Sequence, residues 1–482
     1  MCHPEPKAKD LHVLSRSLVF ALVLPYTLHA QSLTRDDSTL VSRILLAEDR
    51  RDSTDSALAE GSRHADARIR VIAQRARGRI GDAKFVARDS LPPLAAPKAW
   101  PEPAWRVRMR GLTDKRFDCS VLRAALSDSA VPVRLRAADL AGASCASDDD
   151  LVAMMREWID KMPTDVSRRA AGKPSWHAPA HAIVALARTR PAEARTRIAK
   201  LASHRQWQVR MYAARAAGVL SDTTRLRTLA RDRHDNVKEV AIGELVKLTG
   251  HTDDAVYLAA LNGTGAQAVR AAAVALKGSP RADVKAVANA AFDKWVARNN
   301  ASSHDVRTAL LEAAGRAATD DRPPAVKVAL PADAVALALG ADRRLRVTMS
   351  PASGGGSFVV RLRGDVAPMM AARIAELARA KYYDGLTWQR VEHDFVIQGG
   401  SPGANEYAGY PQFLRDELGT VPHTRGTVGM STRGHDTGDA QWFVNLRDNL
   451  RLGRDYTVWA EVVEGIDVVD GILEGDVIAR IR

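Results

Sequence analysis

Cysteine is scarce in this chain, three in 482 residues, which excludes the class of small domains that a disulfide framework holds together in place of a core. Beyond residue 30 no apolar run is long enough to cross a bilayer as a helix, so the body of the chain is not built on transmembrane helices. The marks of several chemistries are missing as well. Gly354-Gly355-Gly356 precedes a strand-like run without the Lys-Ser/Thr of a phosphate loop and reads as a hairpin turn. His393, His423 and His435 fall in separate loops with no metal-ligand spacing. Met430-Ser431-Thr432 is not a nucleophile elbow. Neither cofactor nor metal is expected.

What the chain does have is the composition of a folded protein, 46% hydrophobic and 26% charged residues, in a length that exceeds one ordinary core. Its net charge of +13 is unevenly placed. Gly340 to Arg482 holds 17 Lys/Arg against 19 Asp/Glu, a balance of −2, whereas Gln31 to Leu339 holds 50 against 36, a balance of +14. The basicity belongs to the middle of the chain. At the start, Lys7, Lys9 and Arg16 precede the apolar run Leu18 to Leu24, and Leu28-His29-Ala30 offers a cleavage point, so residues 1–30 read as an export signal. The other reading, a buried N-terminal helix, has to accommodate Pro25. Export predicts a periplasmic or secreted product and takes nucleic acid out of reach of the basic segment. An anionic envelope surface or acidic unfolded chains are the partners that remain for it. Cleavage removes Cys2 and leaves Cys119 and Cys145. One opens a predicted helix and the other follows the next, so a bridge and two free thiols are both open.

A short pattern recurs along the middle segment: a β-branched residue, then Arg or Lys, then small or apolar positions. It appears at Ile69-Arg70, Val133-Arg134, Val209-Arg210, Val237-Lys238, Val269-Arg270 and Val306-Arg307. Within each copy apolar residues return with helical spacing, which predicts paired helices stacked as a solenoid. The copies, His234-Asp235-Asn236-Val237-Lys238 above all, resemble HEAT repeats. On that basis residues 31–320 are expected to form a HEAT-like helical domain, interrupted by a loop in the Pro-rich stretch from Pro92-Pro93 to Pro101 and Pro103. Such a surface suits a protein partner or a client, while a plain spacer with solvated arginines is the alternative. Thr319 to Pro324 and Pro331 have linker composition, which places a linker at 321–335 and a last domain at 336–482.

In that last domain the periodicity turns to alternation, with strand-like runs at 345–349, 357–362, 386–391, 395–397, 427–431, 441–445 and 457–462, a helix from Pro368 to Ala380 and a weaker one from Glu464 to Leu473. These elements predict a closed antiparallel β-barrel capped by two helices, giving a multidomain protein of α-solenoid plus β-barrel.

The wording of the strands carries more. Tyr382-Tyr383-Asp384-Gly385, then Trp388-Gln389-Arg390, then Phe395-Val396-Ile397-Gln398-Gly399-Gly400, then Gly426-Thr427-Val428-Gly429-Met430-Ser431, Gln441-Trp442-Phe443 and Tyr456-Thr457-Val458-Trp459 resemble, in the family's order, the motif blocks of cyclophilin-type peptidyl-prolyl cis/trans isomerases. The resemblance implies an isomerase acting on X-Pro bonds of client polypeptides, with Arg390 as the catalytic guanidinium and Gln398 beside it. It implies a proline pocket lined by Phe395, Met430, Phe443 and Leu452. Tyr456 stands where many relatives have His, Gln398 and Gln441 are implied to bond the peptide backbone, and Thr432 is implied to contact the substrate through its own backbone. Trp388 replaces the usual Phe, Gln389 the usual His, and Trp442 stands where Phe is common. Arg451 occupies a place where cyclosporin-sensitive relatives have Trp. A non-catalytic scaffold that binds proline segments is the alternative function.

Overall fold

The computed structural model describes residues 32–82, 96–163, 175–319, 327–340 and 343–482. The expected leader at 1–30, Pro92-Pro93 and residues 321–326 of the expected linker lie outside them.

The recurring pair has a physical job in the helices it opens. The β-branched member is the third residue of its helix, the fourth in the helix that carries Val269, and is buried against neighbouring helices, from Ile69 to Val306 at most 1% exposed. In several copies the basic member folds back onto the turn before the helix. Arg70 donates to the carbonyls of His64 and Ala65, Arg134 to those of Asp128 and Ser129, and Arg210 to those of His204 and Arg205. Each thereby ties the first turn of its helix to the loop before it.

Helices α1 (Arg35–Arg50), α2 (Ser56–Ser62) and α3 (Ala67–Gly81) come first. They are followed by α4 (Ala104–Asp114), α5 (Cys119–Ala125), α6 (Val131–Leu140), α7 (Asp149–Asp160), α8 (His177–Thr189), α9 (Pro191–Ala202) and α10 (Trp207–Val219). Then come α11 (Thr223–Leu229), α12 (Asp235–Thr249), α13 (Asp254–Ala260), α14 (Ala266–Leu276), α15 (Val284–Val296) and α16 (His304–Ala313). From α4 to α16 the even-numbered helices stack in sequence as one layer, with the odd-numbered ones backed onto it, around a continuous core from Met109 to Ala314. Cys119 at the start of α5 is bridged to Cys145, which follows α6.

The array expected over 31–320 is divided. Helices α1 to α3 do not join the solenoid core; Leu40, Val41, Ile44, Leu45, Ile69 and Ile72 share a core with the C-terminal domain. The described part of the expected linker is equally committed. Lys327 pairs with Asp49 of α1 at 3.1 Å, Ser42 donates to the carbonyl of Leu330, and α17 (Ala332–Leu339) packs between α1 and the barrel helix α18 (Pro368–Arg379). The apolar face Ala334, Val335, Ala338 and Leu339 explains why a Pro-flanked segment orders.

The barrel is a curled eight-stranded antiparallel sheet of β1 (Arg344–Met349), β2 (Ser357–Leu362), β3 (Arg390–Val391), β4 (Val396–Gly399), β5 (Thr427–Met430), β6 (Trp442–Asn445), β7 (Val458–Glu464) and β8 (Ile478–Ile481), in the order β3-β4-β6-β5-β7-β2-β1-β8. Its seam carries the isolated bridge Thr387 to Val477 and four backbone hydrogen bonds between residues 385–388 and 475–478, without a ladder joining β3 to β8, so the sheet is a half-barrel at that side. The caps are α18 and the short α19 (Ile466–Asp470). Trp388, Trp442 and Trp459 fill the interior edge to face, at 4.9 and 5.7 Å between neighbouring rings, so the two enlarged positions are absorbed together.

The even layer presents polar helix starts to the barrel. Arg106 of α4 holds the carbonyls of His393 and Leu446 and the carboxylate of Asp470. His177 of α8 bonds the carbonyl of Glu474, and Asn236 of α12 donates to the carbonyls of Gly403 and Ala404. Asp305 of α16 pairs with Arg433 at 2.6 Å. Residues 98–100, expected as part of a loop, lie along β7: the backbone N–H of Lys98 donates to Glu461 and the indole N–H of Trp100 to the carbonyl of Val462. Among the described residues no helix is long and apolar enough to cross a membrane.

Candidate active site

Strand register decides which residues meet. Arg390 lies opposite Gln398, Gln398 opposite Phe443, and Phe443 opposite Gly429, a row across β3, β4, β6 and β5. Directly opposed residues share a face, so the guanidinium, the amide and the ring stand together outside the barrel while Ile397, Val444 and Val428 point into it. The Phe443 ring lies over Gly429, where a Cβ would come within 2.3 Å of it.

Around this row an apolar cluster separate from the barrel core gathers Val396, Phe443 and Leu452 with the half-buried Phe395 and Tyr456. Tyr456 meets Phe443 edge to face at 5.7 Å, and the His423 ring stacks with Phe443 at 5.8 Å. His423 is held by the carbonyl of Tyr456 at 3.0 Å and by the amide of Asn445 at 3.1 Å. Burial lowers its pKa, so a neutral ring backs the pocket. Arg390 and Arg451 flank the Phe395 ring at 5.7 and 5.0 Å from its centroid, giving the apolar pocket a cationic rim.

Arg390 is about half exposed, its Nη1 donating to Gln398 Oε1 at 3.5 Å and its Nε lying 3.9 Å from Glu392. Its other N–H groups carry no hydrogen bond to a described residue. Gln398 Nε2 in turn donates to Gln441 Oε1 at 3.3 Å, and Gln389 Nε2 reaches the same oxygen at 2.9 Å. The Gln441 Nε2 donates to the carbonyls of Glu406 and Ala408.

Most of the site residues expected from sequence come together: Arg390, Gln398, Phe395, Phe443, Leu452 and Tyr456. Three take other places. Met430 lies opposite Trp442, one residue out of phase with Gly429, and is wholly buried in the barrel core instead of the pocket. Gln441 is 2% exposed, and its amide is engaged by Gln398, Gln389 and the carbonyls of Glu406 and Ala408. Thr432 is half-buried beyond the end of β5, outside the apolar cluster. Val396 and His423 were missed. Alternation along β4 would have found Val396, two residues from Gln398, whereas nothing local marks His423.

The model of the family described as cyclophilin type peptidyl-prolyl cis-trans isomerase/CLD matches residues 346–480. Peptidyl-prolyl cis-trans isomerase B of Bacillus subtilis is 32% identical over 130 residues, 27% of this chain and 91% of that protein. Peptidyl-prolyl cis-trans isomerase B of Escherichia coli is 34% identical over 128 residues, 24% of this chain and 78% of its own. The chain belongs to the cyclophilin-type peptidyl-prolyl cis-trans isomerases. A solved cyclophilin-type isomerase of Cryptosporidium parvum aligns at 18% identity and a TM-score of 0.27, over 29% of this chain and 94% of that one. The cyclophilin match begins at Arg346, so α1 to α17, including the three helices that share the barrel's core, lie before it. What this cyclophilin adds to the barrel is contact from outside: the loop whose carbonyls hold Gln441 is itself held by Asn236 of α12.

Proposed function

We propose that this cyclophilin exchanges cis and trans X-Pro bonds in exported client proteins, with the helical region bracing the active edge and offering contact to the client. The observation that carries the catalytic part is the row Arg390, Gln398 and Phe443 on one outward face, beside the cluster of Phe395, Leu452 and Tyr456.

Rotation about the bond faces about 18–20 kcal/mol because the amide nitrogen's lone pair is delocalised into the carbonyl, and uncatalysed exchange takes about 10–100 s. The proline ring enters the apolar pocket. As the amide twists, the lone pair localises on nitrogen and becomes a hydrogen-bond acceptor. The free N–H groups of Arg390 donate to it at that point and have no such partner in the planar ground state, so binding is differential in favour of the transition state. Gln398 keeps the guanidinium in place, and Gln441 keeps Gln398 in place. No proton moves and no covalent bond changes.

The bond between Cys119 and Cys145 supports the extracytoplasmic part of this reading, because such bridges persist in oxidising compartments. The expected leader at 1–30 points the same way.

The test is a prolyl isomerisation assay on a short X-Pro peptide with the full chain beside Arg390→Ala. Loss of one preorganised donor costs about 10²–10³ in kcat; an unchanged rate in the variant removes Arg390 from the mechanism. Fractionation of the native host should recover the bridged chain outside the cytoplasm, and recovery of a reduced cytoplasmic chain overturns the export reading.

A further inference from the structure

Where the solenoid meets the active edge, the two do not close completely. A cavity of about 270 Å³ lies between Met109, Arg110 and Thr113 of α4, Leu135, Arg136 and Asp139 of α6, His181 of α8 and Tyr212 of α10 on one side, and residues 391–395 and 473–474 of the barrel on the other. Phe395 belongs both to this cavity and to the proline cluster, so the two spaces are neighbours across one ring. An extended chain advances about 3.3 Å per residue, and a client leaving the proline pocket past Phe395 enters the cavity within a few residues.

The lining charges say what fits there. Three of its four carboxylates are already engaged. Asp139 holds His181 Nδ1 at 2.7 Å, Asp394 holds Arg110 at 2.9 Å and Arg447 at 3.1 Å, and Glu474 accepts from the Tyr212 hydroxyl at 3.0 Å. Glu392 lies 3.9 Å from Arg390. Arg110 is likewise engaged, by Glu102 and Asp394. Arg136 is different: among the described residues it forms no ion pair, and its one hydrogen bond is to the neutral Thr113 Oγ1 at 3.0 Å. It is half-buried, with Leu135 and Met109 as apolar flanks.

We propose that this cavity is an extended substrate subsite, supplied by the solenoid, that selects clients carrying an acidic side chain a few residues from the isomerised proline, with Arg136 as the counter-charge. It rests on the isomerase reading above and adds sequence preference to it. A guanidinium with spare donors pairs with a carboxylate in two parallel hydrogen bonds, and partial burial keeps water and salt from cancelling the attraction.

The experiment uses the full chain and peptides with one X-Pro bond in which Glu, Gln or Lys is placed at successive positions on either side of the proline. For a charge-assisted hydrogen bond at partial burial, one position should favour Glu over Gln by about tenfold in kcat/KM. In Arg136→Gln the Glu-to-Gln ratio at that position should fall to about one, and in Arg136→Lys it should be partly restored. Circular dichroism and the melting profile show that the variants are folded. Equal rates for all three peptides at every position, a preference for Lys, or a Glu preference that survives Arg136→Gln overturns the subsite. Absence of turnover on every peptide, including a short one that cannot reach α6, instead defeats the isomerase reading on which it rests.

Discussion

Gly429 lies beneath the Phe443 ring at the floor of the proline pocket, and its backbone is not in the left-handed region, so only the missing side chain matters. A methyl group there would stand 2.3 to 2.9 Å from ring atoms and push the ring outward into the space a proline must fill. Gly429→Ala should therefore lower kcat/KM by about tenfold or more while costing roughly 1–3 kcal/mol of stability, the two being separated by peptide kinetics and urea unfolding. An unchanged kcat/KM would mean that Phe443 does not bound the pocket. The same strand shows what was legible at this scale. Motif wording located Gly429, Met430 and Phe443 as a group, but a motif does not say which side of the sheet each one faces. The pleat does: one residue along, Met430 points at Trp442 and leaves the pocket.

At the scale of elements, the active edge is short and needs support. β3 is two residues long, and its Arg390 is held through Gln398 and Gln441 to the loop at 403–408. That loop is anchored from α12, whose Asn236 donates to Gly403 and Ala404 and accepts from Gln267 and Asn405. A second brace comes from the turn just before α16, where Ser302 donates to Asp439, whose carboxylate caps the backbone N–H of Ala440 and Gln441. Asn236→Ala removes the first brace without touching the pocket. The expected result is faster amide exchange at 403–408 and a few-fold lower kcat with KM little changed, since hydrogen bonds of this kind contribute about 1 kcal/mol each; unchanged exchange would show the loop to be self-supporting. The repeat pair was readable from sequence because every copy buries its β-branched side chain, and in several the basic member bonds the preceding turn. β8 was not, since four residues, Ile478 to Ile481, form too short an alternation to stand out, and pairing with β1 is what makes them a strand.

For the whole molecule, the join between α1–α3 and the barrel is where pH and folding meet. Arg79 of α3 reaches Glu48 of α1 at 3.4 Å and Glu417 of the barrel domain at 3.5 Å, all three buried, with Arg75 donating to the carbonyls of Asp365 and Val366. Burial raises Glu417 to about 7 against the pull of Arg79, and Glu48 is raised too. A carboxyl whose folded pKa exceeds its unfolded value holds extra protons in the native state, so its contribution is present below about pH 4.5 and is lost as pH rises to about 7. Urea midpoints should fall over that interval, on the order of 1–3 kcal/mol, and Glu417→Gln should flatten the fall; identical pH profiles would put the titration elsewhere. Sequence periodicity could not assign α1–α3 to this join, because an amphipathic helix carries the same pattern whatever it packs against. The consequence is sharpest for a fragment cut at the expected boundary. Residues 336–482 would begin inside α17, lose α1 and α3 from the shared core, and leave Glu417 buried without Arg79. Each of Leu40, Val41, Ile44 and Leu45 contributes about 1.5–3 kcal/mol when fully buried, which set against a total of roughly 5–15 kcal/mol makes the loss comparable with the stability of a domain. The fragment should melt well below the full chain, followed by the fluorescence of Trp388, Trp442 and Trp459, and adding residues 32–82 as a separate polypeptide should raise its midpoint. A fragment that melts with the full chain would show the barrel to be complete without those helices.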